Sequence, residues 1–155
     1  MINKPLSSKV KYVNKILIVD DEPDIQVILT AYLRRIPEIE VINALTGEEA
    51  VEEYRKLFES GDIPALIVMD LNLSGNNQDI DIIDQHRQRK HVQMDGVETA
   101  QAISDMDADA VIWGYTAWEG TSWEDELRQI GVTKIVERQV PFKDFAEQVK
   151  QFLNE

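Results

Sequence analysis

Acidic and hydroxyl side chains follow three apolar runs of the sequence at the point where each run ends. Asp20 and Asp21 follow the first run, Asp70 follows a later one, and Thr116 closes a third. If these runs are parallel strands of one sheet, their carboxyl ends share one edge and the side chains converge there. Converging carboxylates repel one another, raise each other's pKa values, or require a cation.

Such a cluster supports two kinds of chemistry together. Mg²⁺ prefers oxygen ligands and keeps several of its waters, so it suits adjacent carboxylates. A carboxylate can also be the nucleophile that takes up a phosphoryl group, provided that a metal ion offsets the charge. Each residue has an ordinary structural explanation as well: Asp20 could cap the helix that Pro23 opens, and Asp70 and Thr116 could be plain strand-end residues.

The elements that must position these residues follow from the spacing of the apolar side chains. Short apolar runs at 16–19, 40–44, 65–69, 110–113 and 133–136 predict five strands. Helical patterns separate and follow them, from Pro23 to before Pro37 and over 46–59, 95–106, 123–130 and 142–153. Thr46, as N-cap, and Glu49 form a capping-box pattern. This alternation predicts an α/β fold, a five-stranded parallel sheet with helices on both faces.

Composition narrows the class of protein. The 155 residues fit one domain, and a hydrophobic content of 43% is enough for a core. The absence of cysteine excludes disulfides and a thiol nucleophile, and the net charge of −13 disfavours nucleic acid as a partner. No apolar run is long enough to cross a bilayer, so we expect no membrane association. Residues 1–14 lack the apolar stretch of a signal peptide, and we interpret them as a polar leader of a cytoplasmic protein.

Taken in order, these motifs resemble the receiver domain of two-component response regulators. The resemblance covers about residues 15–153 and rests on ILIVDDE at 16–22, VMDLNL at 68–73, DGVE at 95–98, TA at 116–117 and PF at 141–142. Each motif alone is weak, but each stands in the family's order at a predicted strand end or near one. The resemblance implies a flavodoxin-like, CheY-like doubly wound sheet with strand order 2-1-3-4-5.

The resemblance also implies a role for each site residue. Asp70 would accept the phosphoryl group, and Thr116 would hydrogen-bond one of its oxygens. Mg²⁺ would bind at Asp20, Asp21 and Asp70, directly to Asp21 and mainly through water to Asp20. The backbone carbonyl of Asn72 would complete the protein ligands.

The implied function is that of a phosphoacceptor in a phosphorelay. The domain would take its phosphoryl group from a histidine kinase or a histidine phosphotransfer protein and would switch a surface that a downstream protein binds. It would not be an enzyme, beyond slow self-phosphorylation and self-dephosphorylation. A homodimer is a further possibility that the family allows.

One departure from the family concerns the cation after strand five. The family has a Lys-Pro pair there, whereas Val140 precedes Pro141 in this chain and the segment looks lengthened by two residues. With the extra residues after Arg138, this arginine takes the place of the lysine, with the same charge but a different shape. We hypothesise that Arg138 lies near Asp70. The alternative is that Arg138 is solvated, and Lys134 is a weaker substitute because it falls early in the strand.

A second departure is an insertion at about 76–92, within a receiver domain that spans 15–155. Its first half is acidic and its second half is basic, and we expect it at the active-site edge, where it would cover the site or contact a partner. Two alternatives to the phosphoacceptor remain. The first is a phosphorylation-independent pseudo-receiver that acts as an interaction module. The second is a phosphatase of the haloacid-dehalogenase type, which needs Asp-x-Asp after its first strand, whereas Asp20 and Asp21 are adjacent.

Overall fold

The computed structural model describes residues 13–71, 94–116 and 124–155. Within these ranges, strands and helices alternate in the order β1 (Asn14–Val19), α1 (Pro23–Leu33), β2 (Ile39–Ala44), α2 (Gly47–Glu59), β3 (Leu66–Asp70), α3 (Gly96–Met106), β4 (Ile112–Thr116), α4 (Glu124–Gln129), β5 (Val132–Glu137) and α5 (Phe142–Leu153). Residues 1–12 of the predicted leader and the whole predicted insertion at 76–92 lie outside the described residues, and Asn14 already belongs to β1.

The strands form one sheet in the order β2-β1-β3-β4-β5, and each neighbouring pair is parallel. This confirms the predicted doubly wound α/β fold with strand order 2-1-3-4-5. The order reverses between β1 and β3, and in such sheets the crevice outside the carboxyl ends at this switch point is the usual place for a site.

Strands β1 and β3 are buried on both faces, which explains why their sequences are continuous apolar runs. Ile16 and Ile18 of β1 join the core cluster that α1 and α5 cover, whereas Leu17 and Val19 join the cluster under α2 and α3. All four side chains are at most 1% exposed. Helices therefore lie on both faces of the sheet, as predicted.

Two helix caps position the loops at the carboxyl edge. The Asp95 side chain accepts from Glu98 N, and the Glu98 side chain accepts from Asp95 N, so α3 begins with a complete capping box at Gly96. Thr46 caps α2 as predicted and accepts from Glu49 N at 3.0 Å. The Glu49 carboxylate, however, accepts from Leu45 N rather than from Thr46 N, so the predicted box at α2 is not reciprocal.

Most element boundaries differ from the prediction by one to three residues, and two of these differences have a local cause. The fourth strand begins at Ile112 and not at residue 110, because Ala110 N donates to Asp107 O in the turn that follows α3. The fourth helix ends at Gln129, and Ile130 N closes a turn on Leu127 O. In the described part of the chain, none of the helices combines the length and the apolar character needed to cross a membrane.

Candidate functional site

Three aspartates meet at the carboxyl edge of the central strands. Strands β1 and β3 are paired in register up to Val19 and Met69, so the next residues, Asp20 and Asp70, are neighbours. Asp21 follows at once, and one carboxylate oxygen from each aspartate lies within 4.8 Å of the others. Asp20 and Asp70 are 1% and 3% exposed, whereas Asp21 is exposed. The structure thus brings together the three carboxylates that the sequence placed at the strand ends.

Arg138 lies between the two buried carboxylates. Its Nη2 donates to Asp20 Oδ2 at 3.0 Å and lies 3.2 Å from Asp70 Oδ2, while its Nη1 is 3.5 Å from Glu22 Oε1. The guanidinium also lies over the Tyr115 ring, 5.0 Å from the ring centroid. The chain after β5 therefore carries Arg138 into the site and not into solvent.

Lys134, the weaker substitute, lies instead over the Trp113 ring at 4.5 Å. Arg138 thus lies beside Asp70, as hypothesised. That Arg138 takes over the role of the family's lysine in signalling stays a prediction. Among the described residues, Arg138 Nε has no hydrogen-bond partner although it is buried. The guanidinium therefore makes three ionic contacts through its Nη atoms, to Asp20, Asp70 and Glu22, whereas its Nε has no partner in the described part of the chain.

The charges of the cluster are not balanced by one guanidinium. Burial, followed by the charge of Asp70, raises the pKa of Asp20 to about 7, although Glu22 N donates to Asp20 Oδ1 at 2.9 Å and Arg138 is adjacent. Burial lowers the pKa of Arg138, but the charges of Asp70 and Asp20 outweigh it, so the net shift is upward. The carboxylates therefore keep a net negative charge that would attract a further cation.

The donor set fits a divalent cation of the Mg²⁺ or Ca²⁺ type, because carboxylate oxygens are the preferred ligands of these ions. The upward shift in the pKa of Asp20, caused first by burial and then by the charge of Asp70, supports this fit, since a bound cation would favour the charged carboxylate and oppose the shift. Asn72, the fourth predicted ligand, lies outside the described residues. Thr116 is the last residue of β4 and pairs with Glu137 of β5, but its side chain lies outside the described part of the structure.

Two residues near the site were missed by the sequence analysis. Gly96 lies so close to β3 that a Cβ atom there would be 2.4 Å from the backbone oxygen of Asp70. Gln26 is buried on the face of α1 that also carries Leu29 and Leu33, whereas the apolar Ile28 is 41% exposed. The spacing of Gln26, Leu29 and Leu33 at i, i+3 and i+7 was the signal that could have identified Gln26.

Comparison with curated sequences found one informative similarity, although no protein-family model matches the chain. The chain is 31% identical over 127 residues to protein-glutamate methylesterase/protein-glutamine glutaminase 1 of Syntrophus aciditrophicus (strain SB). The matched region covers 80% of this chain and 30% of that protein. The chain thus spans less than a third of the relative's length.

Solved structures of receiver domains have the same fold. The CheY-like response regulator receiver domain protein from Methanospirillum hungatei JF-1 superimposes with a TM-score of 0.69 at 18% identity, over 92% of this chain and 94% of that one. The N-terminal domain of a response regulator/sensory box/GGDEF 3-domain protein from Carboxydothermus hydrogenoformans gives 0.63 at 25% identity, over 91% and 96%. The CheX-CheY-BeF3-Mg+2 complex from Borrelia burgdorferi gives 0.67 at 18% identity, over 90% and 89%. With the sheet order and the carboxylate edge already described, these similarities show that the chain has the fold of the CheY-like receiver domains of response regulators.

Proposed function

We propose that this receiver domain accepts a phosphoryl group on Asp70, with Mg²⁺ held beside it by Asp20 and Asp21. The observation that carries the proposal is the convergence of the three carboxylates within 4.8 Å at the carboxyl edge of the sheet. Asp70 ends a strand that is buried along its whole length, so its carboxylate is held on a rigid element.

In the proposed step, a carboxylate oxygen of Asp70 attacks the phosphorus atom of a phosphohistidine or an acyl phosphate. The new O–P bond forms as the P–N or P–O bond to the donor breaks, and the leaving group takes the electron pair of that bond. Bound Mg²⁺ would supply charge compensation for the phosphoryl oxygens. Arg138 is 3.2 Å from Asp70 Oδ2 and is placed to pair with one of these oxygens after transfer.

The proposed donor is a histidine kinase or a histidine phosphotransfer protein, and the proposed output is a surface that a downstream protein binds. The solved complex of CheY with CheX from Borrelia burgdorferi supports a protein partner as the output. The domain itself would catalyse only its own slow phosphorylation and dephosphorylation. Its activity would therefore be that of a phosphoacceptor.

The experiment is incubation with acetyl phosphate and Mg²⁺, followed by measurement of the intact mass. The parent protein should gain the mass of one phosphoryl group, and Asp70→Asn should gain nothing. Asp105→Asn, which removes an exposed carboxylate on α3, is the matched control and should be modified like the parent. Chelation of the metal with EDTA should prevent modification of the parent.

The alternative functions give different results in the same experiment. A folded parent protein that stays unmodified at every donor concentration would assign the domain to the phosphorylation-independent interaction modules. Continuous turnover of a generic phosphomonoester would instead assign it to the phosphatases.

A further inference from the structure

Gln26 is a buried polar residue that connects α1 to the ends of two strands. It is 5% exposed, and the two N–H groups on its side-chain Nε2 are shared among the backbone carbonyls of Ile18 at 3.2 Å, Asp20 at 3.1 Å and Ala44 at 2.8 Å. These carbonyls lie where β1 and β2 end, and Ala44 O also accepts from Asp20 N at 3.1 Å. Because a buried amide is costly unless it is hydrogen-bonded, this contact set defines the position of the side chain.

The other end of the Gln26 side chain is held as well. Its Oε1 accepts from Asn43 Nδ2, and the same Nδ2 donates to Thr30 Oγ1 at 3.0 Å. The nitrogen must face the carbonyls, since these groups only accept, and the oxygen must face the Asn43 donor. Rotation of the amide by half a turn would break both sets of contacts, so Gln26 acts as a fixed donor to the Asp20 carbonyl.

That carbonyl belongs to the peptide unit that joins Asp20 to Asp21. A peptide unit is planar, so fixing its oxygen fixes the plane and, with it, the direction in which the chain leaves towards Asp21. Asp21 is exposed, and the direction in which its Cα–Cβ bond leaves the backbone follows from the peptide plane before it.

We propose that Gln26 is a positioning residue for the cation site: through the Asp20 carbonyl it orients the Asp20–Asp21 peptide so that the Asp21 carboxylate points at the position of the metal ion. The inference rests on the proposed function, because it takes the carboxylate cluster to be a metal site. Gln26 touches neither the metal nor the reacting atoms.

The test is Mg²⁺ titration of the folded protein, with the dissociation constant taken from changes in backbone amide NMR shifts. Gln26→Met keeps the length and the apolar part of the side chain but removes the amide. It should weaken Mg²⁺ binding by about tenfold or more, which is the usual effect of removing a residue that orients a metal ligand. Asn43→Ala removes only the donor to the Gln26 amide oxygen, and it should also weaken Mg²⁺ binding, but by a smaller factor.

Tyr54→Phe is the matched control for a general loss of stability. Tyr54 OH donates to Asp107 Oδ2 at 2.6 Å on the other face of the sheet, so this variant also loses a partly buried hydrogen bond but leaves the Asp20–Asp21 peptide untouched. It should melt at a lower temperature than the parent and keep the parent's dissociation constant.

The outcomes separate the inference from the proposed function. If the parent binds Mg²⁺ and both Gln26→Met and Asn43→Ala bind it equally well, the inference is overturned and the metal site stands. If Gln26→Met does not fold, the exposed position of Asn43 makes Asn43→Ala the deciding variant. If the parent itself shows no response to Mg²⁺, the proposed metal site fails and the inference fails with it.

Discussion

Arg138 shares its Nη2 between the two buried carboxylates of the site, so its removal should change metal affinity and metal-free stability in opposite directions. The variant is Arg138→Met, which keeps an apolar stem against Tyr115 but has no charge. Without metal, Asp20 and Asp70 would lose their cation and repel each other. With metal, the ion would no longer share these carboxylates with a guanidinium.

The magnitudes follow from the two contacts of Nη2, at 3.0 Å from Asp20 and 3.2 Å from Asp70. Leaving a buried charge without its partner costs about 3–5 kcal/mol, which is the expected loss in the metal-free free energy of unfolding. A hydrogen bond to a charged group contributes about 1.5–3 kcal/mol, and we expect Mg²⁺ binding to break one of the two contacts in the parent. Since 1.4 kcal/mol is a factor of ten, Arg138→Met should bind Mg²⁺ about tenfold to a hundredfold more tightly.

The assay combines urea denaturation in EDTA with Mg²⁺ titration of each folded variant. Lys134→Met is the matched control, because it removes one positive charge from β5 that also lies over an aromatic ring, that of Trp113. The control should keep the parent's affinity for Mg²⁺. The reasoning would be refuted by an Arg138→Met variant that binds Mg²⁺ no more tightly than the parent, or by a metal-free stability equal to that of the parent.

Three further changes test other parts of the site. Burial and Asp70 raise the pKa of Asp20 to about 7, so the buried carboxyl favours folding while it is protonated. The metal-free parent should therefore lose about 2–3 kcal/mol of unfolding free energy between about pH 5 and about pH 8, and urea denaturation of Asp20→Asn in EDTA should lack this loss. Gly96→Ala places a Cβ against the backbone of Asp70 and Leu71. We expect the free energy of unfolding to fall by about 1–3 kcal/mol and modification by acetyl phosphate to become slower. An unchanged time course of modification would contradict this. Asp95→Ala removes the cap of α3 and should cost about 1 kcal/mol in thermal unfolding, with Mg²⁺ affinity unchanged.

Much of the fold followed from local patterns of the sequence. The continuous apolar runs before Asp20 and Asp70 predicted buried parallel strands, and the structure has β1 and β3 there. Burial on both faces leaves no polar position within the runs 16–19 and 66–69, so the first charged residue after each run marks the carboxyl edge. The convergence of the carboxylates was predictable for the same reason. The strand order came from the family resemblance and not from periodicity, because apolar spacing carries no information about which strands are neighbours.

Two features of the site depended on tertiary structure. The contact of Arg138 with Asp20 joins residues 118 positions apart, and only the path of the chain after β5 decides whether this arginine is solvated or buried between carboxylates. The spacing of Gln26 from Leu29 and Leu33 places it on the apolar face of α1, but the sequence does not show which groups its amide contacts. Its amide nitrogen meets the carbonyls of Asp20 and Ala44 at the ends of β1 and β2, and Asn43 holds the amide oxygen. The sequence determined the position of each charge along the chain, whereas packing decided which charges and hydrogen-bond donors meet. These contacts are strong only when they are buried, and the burial is provided by segments that are distant in the sequence.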